Sequence, residues 1–169
     1  MWPRTARWAL TGAYALVILA LTTGKSFFRI GYLWDPANQR VRELRLVPFE
    51  AWARSETWFG PLFDALGNVA FFVPLGWMLA MLLRPSQTIA AAAAFSVAIE
   101  ATQYVFALGR TDVTDVILNV LGAAIGVGVA RLMPRRLLLW VTLLAVVAFA
   151  ALLIAGPYLG DPDKVVPVG

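Results

Sequence analysis

The 169-residue chain contains no cysteine and no histidine. Those two absences exclude disulfides, thiol chemistry, imidazole general-base catalysis and the usual zinc sites. Charge is scarce as well. Asp, Glu, Lys and Arg make up 14% of the residues, against about 25% in an ordinary soluble domain. Any catalysis or cation binding has to rest on carboxylates, amides, hydroxyls and arginine. No resident metal and no cofactor is expected. Nucleic acid is not an expected partner either, although the formal charge is +4 and the pI near 10.0. Arginines that flank apolar segments report membrane topology and contact with anionic lipid instead. No internal repeat stands out.

What the chain has in abundance is apolar sequence, at 60% hydrophobic residues and a mean hydropathy of +0.74. It comes in blocks of about 20 residues, the length that crosses a hydrocarbon core of about 30 Å. Five spans are expected, at residues 8–23, 62–83, 88–108, 113–133 and 137–153. The first sits behind Arg4 and Arg7, and no small-x-small cleavage site follows at Thr22-Thr23-Gly24-Lys25, so an uncleaved signal anchor is expected. The fold class that follows is all-α, an integral membrane helical bundle forming a single domain over residues 1–169. A Pro/Gly-rich tail at 156–169 reads as flexible or interfacial.

One connection is long, residues 24–61. It interleaves Phe27, Phe28, Tyr32, Trp34, Phe49, Trp52 and Trp58 with Lys25, Arg29, Arg40, Arg42, Arg45 and Arg54. Aromatic and basic residues mixed in this way suit the headgroup region, so a short interfacial helix and a lid over the bundle are expected. With five spans, Arg4, Arg7, Arg84, Arg131, Arg135 and Arg136 fall on one side without any acid among them. That side is expected to be cytoplasmic, which puts the N-terminus inside and the C-terminus outside a bacterial inner membrane.

Glu100 stands where a carboxylate is expensive, inside the apolar run 88–108. A charge at mid-bilayer costs roughly 3 kcal/mol even on the lenient insertion scale, so the residue must face protein or water. Ser96 and Gln103 lie one turn away on the same helix face. Asp112, Asp115, Asn119 and Gly122 share a face of the fourth span through spacings of three, four and three. Asn68 brings an amide into the second span, where Pro74 frees a backbone carbonyl near Ala70. At 1.5 Å per residue Glu100 lies roughly 12 Å and Asn119 roughly 9 Å below the ends of their expected spans. These groups therefore gather in one half of the bilayer, beside the aromatic loop, and imply one polar pocket beneath it. Each has a plainer reading. Asp112 and Asp115 fit a helix N-cap and its third-position acid, Asn68 and Asn119 fit interhelical hydrogen bonding, and Glu100 fits a structural pair with Arg110. Gly122 and Gly126 form a small-xxx-small pair suited to helix packing, or to a homodimer.

Taken in order, Asn68-x-x-Phe71-x-x-Pro74-x-Gly76, Ser96-x-x-x-Glu100-x-x-Gln103 and Arg110-x-Asp112-x-x-Asp115-x-x-x-Asn119-x-x-Gly122 resemble the VanZ-like family. Upstream, Leu46-Val47-Pro48-Phe49 is similar to that family's Leu-Ile-Pro-Phe box, with Arg45 where the pattern usually has Asn. The resemblance covers residues 45–130. It implies a small bacterial membrane protein associated with low-level resistance to teicoplanin, a lipidated glycopeptide. Fold and location carry over within a family more safely than phenotype.

Three function classes are then open. The leading one is a binding protein whose outer-leaflet pocket takes a lipid or a lipidated glycopeptide. Arg110 would meet an anionic headgroup, and Glu100, Gln103, Asp112, Asp115, Asn119, Asn68 and Ser96 would form the polar site. The second is an intramembrane enzyme in which Glu100, Asp112 and Asp115 hold Mg²⁺ against a lipid-linked phosphate. The third is a proton-coupled transporter with Glu100 as the titrating group, which in so short a chain would need a dimer.

Overall fold

The computed structural model describes residues 3–24, 28–29, 32–33 and 41–155. The expectations for the tail at 156–169, and for Lys25, Phe27, Trp34 and Arg40, lie outside the described residues. Five long helices dominate: α1 (Arg4–Gly24), α3 (Phe59–Ala80), α4 (Pro85–Val105), α5 (Val113–Val129) and α6 (Leu137–Ala155). A short helix, α2 (Glu50–Arg54), precedes α3. Between them run β1 (Phe28–Arg29), β2 (Tyr32–Leu33), β3 (Val41–Arg45) and β4 (Leu108–Asp112).

Local chemistry sets the helix ends. Pro85 occupies the first turn of α4, where its missing N–H costs nothing, and the Gln87 side chain accepts the Arg84 N–H at 3.1 Å. The Ala90–Ala94 run then propagates the helix at low entropic cost. At the start of α5 the Asp112 carboxylate caps the Thr114 N–H at 2.8 Å. Pro74 lies inside α3 and leaves the Ala70 carbonyl without its helical donor. One residue on, the Tyr14 hydroxyl of α1 donates to the Phe71 carbonyl at 3.2 Å.

The core is built on the contact of α3 with α5. A Cβ on Gly122 would lie 2.6 Å from the Val69 carbonyl oxygen, and one on Gly126 would collide with the Val73 carbonyl and the Trp77 N–H. Gly76 presses in the same way on the backbone of Ala123. Three glycines thus let two helix backbones touch, as small residues do where helices pack in lipid. Phe72, Leu75 and Met78 of α3, Ala92 and Ile99 of α4, Ile18 of α1 and Leu138 of α6 fill the remaining space.

Chain direction sorts the bundle into two ends. At one, Arg7 donates to the Met81 carbonyl at 3.1 Å, beside Arg84. At the other, β3 pairs in parallel with β4, Glu43 opposite Arg110 and Arg45 opposite Asp112. Gly109 in β4 holds φ +136, a backbone region that only glycine enters readily.

The chain is predominantly helical, and the long connection and residues 108–112 add two small sheets to the bundle. Three expectations need correction. The third helix stops at Val105, so Arg110 and Asp112 lie on a strand and Glu100 lies only about 8 Å from its helix end. Among the described residues, three helices rather than five are long and apolar enough to cross a membrane, α1, α3 and α4. α5 and, over Leu137–Ala151, α6 are apolar as well. Finally, the Gly122/Gly126 face cannot seat a second copy, because α3 of the same chain already fills it.

Gly126→Ala forces atoms into backbone, and overpacking of this kind should cost about 1–3 kcal/mol. Gly128 on the same helix has open space around it, so Gly128→Ala should stay within about 0.5 kcal/mol. Unfolding of the two detergent-solubilised variants, compared with the parent, measures both.

Candidate functional site

The polar residues form two tiers at the strand-bearing end. In the inner tier, Ser96, Glu100, Gln103 and Asn119 are all at most 6% exposed. The Asn119 amide donates to Ser96 Oγ at 2.9 Å, tying α5 to α4. The Gln103 amide donates to the Thr22 carbonyl at 3.0 Å, tying α4 to the end of α1. Glu100 reaches across to β4: its Oε2 accepts the Asp112 backbone N–H at 2.9 Å, and its own carbonyl accepts the Thr111 hydroxyl at 3.1 Å. The second oxygens of the two amides, Gln103 Oε1 and Asn119 Oδ1, are buried with no hydrogen-bond partner among the described residues.

The outer tier surrounds a cavity of about 570 Å³, within the usual range of small-molecule sites. Its roof comes from the long connection, with Arg45 at the end of β3 and Trp52 and Arg54 in α2. The walls come from Asp64 of α3, Arg110 and Asp112 of β4, and Asp115 of α5. The Phe49 N–H donates to Thr114 Oγ1 at 2.8 Å, so the Leu46–Phe49 box pins this roof to the first turn of α5. Phe49 itself takes a left-handed φ of 59°, uncommon for a bulky side chain and held here by that bond.

Glu43 organises the charges. Its carboxylate accepts Arg45 Nε at 2.8 Å and pairs with Arg110 Nε at 3.0 Å. The bond from Arg45, aided by the charges of Arg45, Arg110 and Arg54, holds the Glu43 carboxyl below its ordinary value. Reciprocally, the bond to Glu43 holds the Arg45 guanidinium above its own. Both arginines spend Nε on Glu43, and their Nη groups make no other hydrogen bond among the described residues. Arg54 pairs with Glu50 at 2.6 Å. Further out, Arg42 donates to the Tyr104 and Val105 carbonyls, both at 3.1 Å, and covers the Tyr104 ring at 5.5 Å. It closes the C-terminus of α4, where a cation is favoured.

The single pocket expected from sequence is therefore divided. Arg110, Asp112 and Asp115 line the cavity, and Asn68 stands behind it, donating to Asp115 at 2.6 Å. Ser96, Glu100, Gln103 and Asn119 do not line it. Glu100 does not pair with Arg110, which Glu43 takes instead. Asp112 caps α5 as the plainer reading holds, whereas Asp115 takes the Asn68 amide. Among the described residues no group of three acids clusters as possible cation ligands. Glu43, Arg45, Arg54 and Asp64 are additions to the site. Glu43 and Arg45 carried no strand signal, because the apolar Val41 and Leu44 stand three residues apart and not two.

A carboxyl lowered by pairing contributes stability that is complete above its ordinary value of 4.5 and is lost as pH falls through the lowered one. Backbone amides of β3 should therefore exchange faster at about pH 3 than at about pH 6, after correction for intrinsic rates. In Glu43→Gln they should be equally loose at both. Hydrogen–deuterium exchange read by mass spectrometry makes the comparison. In the inner tier, Glu100→Ala removes the acceptor of a buried N–H and should cost about 1–3 kcal/mol, and Glu100→Gln, which keeps an acceptor oxygen, should cost less.

Comparison with known proteins places this architecture. Protein VanZ of Enterococcus faecium is 33% identical over 92 residues, 53% of this chain and 53% of that protein. The chain thus spans about half the length of the curated relative it matches. No solved structure matches. The family model described as VanZ/LLP1 matches residues 11–134, a stretch that contains both tiers, all of α3, α4 and α5 and most of α1. This chain is a membrane protein of the VanZ/LLP1 family.

Proposed function

We propose that the outer cavity binds an amphipathic ligand, a membrane lipid or a lipidated glycopeptide, and that binding contributes to teicoplanin-type resistance of the bacterial envelope. The observation that carries this reading is the cavity roofed by Arg45, Trp52 and Arg54 and walled by Arg110. Guanidinium forks suit phosphate and carboxylate groups, and an indole suits the boundary between headgroup and acyl chain. In this reading residues 1–169 form one domain in the inner membrane.

Orientation follows from charge. Arg4, Arg7, Arg84, Arg131, Arg135 and Arg136 stand at the end away from the cavity, in segments without acids. Short loops of that kind stay cytoplasmic, which puts the cavity at the outer leaflet, where a glycopeptide arrives. The inner tier serves as the support: Glu100 fixes Asp112, and Asp112 fixes the start of α5. A reading as a Mg²⁺-dependent enzyme has no converging acid set to support it.

Expression in a teicoplanin-sensitive Gram-positive host should raise teicoplanin tolerance several-fold and leave vancomycin, the non-lipidated control, unchanged. Arg45→Ala, Arg110→Ala and Glu100→Ala should each lose that protection at matched membrane levels. A well-expressed parent protein that protects against neither drug would overturn the resistance reading.

A further inference from the structure

The arginines around the cavity are largely satisfied from within. Glu43 serves Arg45 and Arg110, and Glu50 serves Arg54, so the three guanidiniums do not add up to a strongly cationic site. What Arg45 and Arg110 retain is donors, since each meets Glu43 through Nε and keeps its Nη groups available. On the opposite wall Asp64 of α3 lines the same cavity, is exposed, and makes no hydrogen bond or ion pair among the described residues. The cavity therefore offers anion-accepting forks on its strand side and an uncompensated carboxylate on its helix side.

A third feature starts at the same rim. Trp58, Phe59 and Phe63 are 69%, 65% and 68% exposed, and next to them Gly60, Pro61 and Asp64 line the cavity. Phe59 stacks on Phe63 at 6.1 Å, and Trp58 meets Phe59 edge-on at 6.2 Å. Leu66, one turn further down α3, is 58% exposed. Residues 59, 63 and 66 share one helix face, so this apolar ridge descends from the cavity mouth along the bundle. Exposed apolar surface of this kind, continuous with a polar cavity, matches a molecule with a polar head and a hydrocarbon tail.

We infer that the cavity recognises a zwitterionic, amine-bearing phospholipid headgroup of the phosphoethanolamine type, its phosphate on Arg45 and Arg110, its ammonium on Asp64 and its acyl chains along the Phe59–Phe63–Leu66 ridge. This deepens the binding reading above and rests on it. A purely anionic headgroup would satisfy the forks but would leave the Asp64 carboxylate facing like charge. An ammonium removes that repulsion and adds a charge-assisted hydrogen bond.

The test uses the full chain purified in detergent and titrated calorimetrically with dioctanoyl phosphatidylethanolamine, dioctanoyl phosphatidylglycerol and soluble glycerophosphoethanolamine. The ethanolamine lipid should bind about tenfold more tightly than the glycerol lipid. Asp64→Asn should erase that preference, weakening the ethanolamine lipid and relieving the repulsion of the glycerol lipid, and Asp64→Glu should restore it. Arg110→Ala should weaken both lipids. Asp64 is exposed and supports no other residue, so these variants should fold as the parent does. Equal binding of the two lipids, or a preference that survives Asp64→Asn, overturns the amine inference and leaves the binding reading standing. Glycerophosphoethanolamine binding as tightly as the lipid overturns the role of the acyl ridge. Binding of none of the three removes the inference and the lipid-binding reading together.

Discussion

One hydrogen bond holds the two tiers in register, the acceptance of the Asp112 backbone N–H by the Glu100 carboxylate. Both residues are buried, at 6% and 8% exposure, so an unmade bond there would carry the full desolvation penalty of a charge and an amide. The bond fixes the last residue of β4 against the last turns of α4. Asp112 is also the N-cap of α5 and the partner of Arg45 across the ladder, so one contact sets the start of a helix and the pairing of a strand. The Thr111 hydroxyl on the Glu100 carbonyl adds a second clamp at the same place. An apolar helix tolerates a carboxyl group here because its oxygen is used by a backbone amide rather than left in hydrocarbon.

Rigidity and polarity are kept apart along the bundle. Gly76, Gly122 and Gly126 bring α3 and α5 into backbone contact toward the Arg7 and Met81 end, where close packing does the binding of helix to helix. Near the strands the same helices diverge in chemistry, with Asn68 on α3 and Asp115 on α5 meeting through an amide–carboxylate bond. The glycine contact therefore fixes the spacing at which Asp64 and Asp115 face the arginine-bearing roof. The roof is a strand and a short helix attached by main-chain pairing to β4 and by Phe49 to Thr114. Backbone attachment lets its side chains point at the cavity without themselves carrying the fold.

Glu43 links that roof to its chemistry. One carboxylate shared by two guanidiniums neutralises part of their charge and holds both through Nε, which leaves their Nη groups available. Arg45 is the better held of the two, its side chain 13% exposed against 63% for Arg110. In the proposed function Arg45 is thus the fixed element and Arg110 the adaptable one. Arg45, the residue before Leu46-Val47-Pro48-Phe49, lines the cavity.

Apolar blocks of spanning length determined the helices, because a bilayer demands about 20 apolar residues per crossing whatever the neighbours are. The lone Glu100 likewise announced itself, since an intramembrane carboxylate must be used by something. The face shared by Ser96, Glu100 and Gln103 was readable from spacing alone, and all three are buried together. Three things were decided by tertiary structure. The ladder joining residues 41–45 to 108–112 is a pairing across more than sixty residues, and no local pattern encodes a distant partner. The occupant of the glycine face was α3 rather than a second chain, since a small-xxx-small spacing states that something packs closely and not what. The partner of Arg110 was Glu43 rather than Glu100, because the strand register sets Glu43 directly opposite it and directs Glu100 to a backbone amide. Sequence thus determined which groups leave water, and only the fold decided which of them meet, because pairing depends on positions in space that periodicity along one helix does not contain.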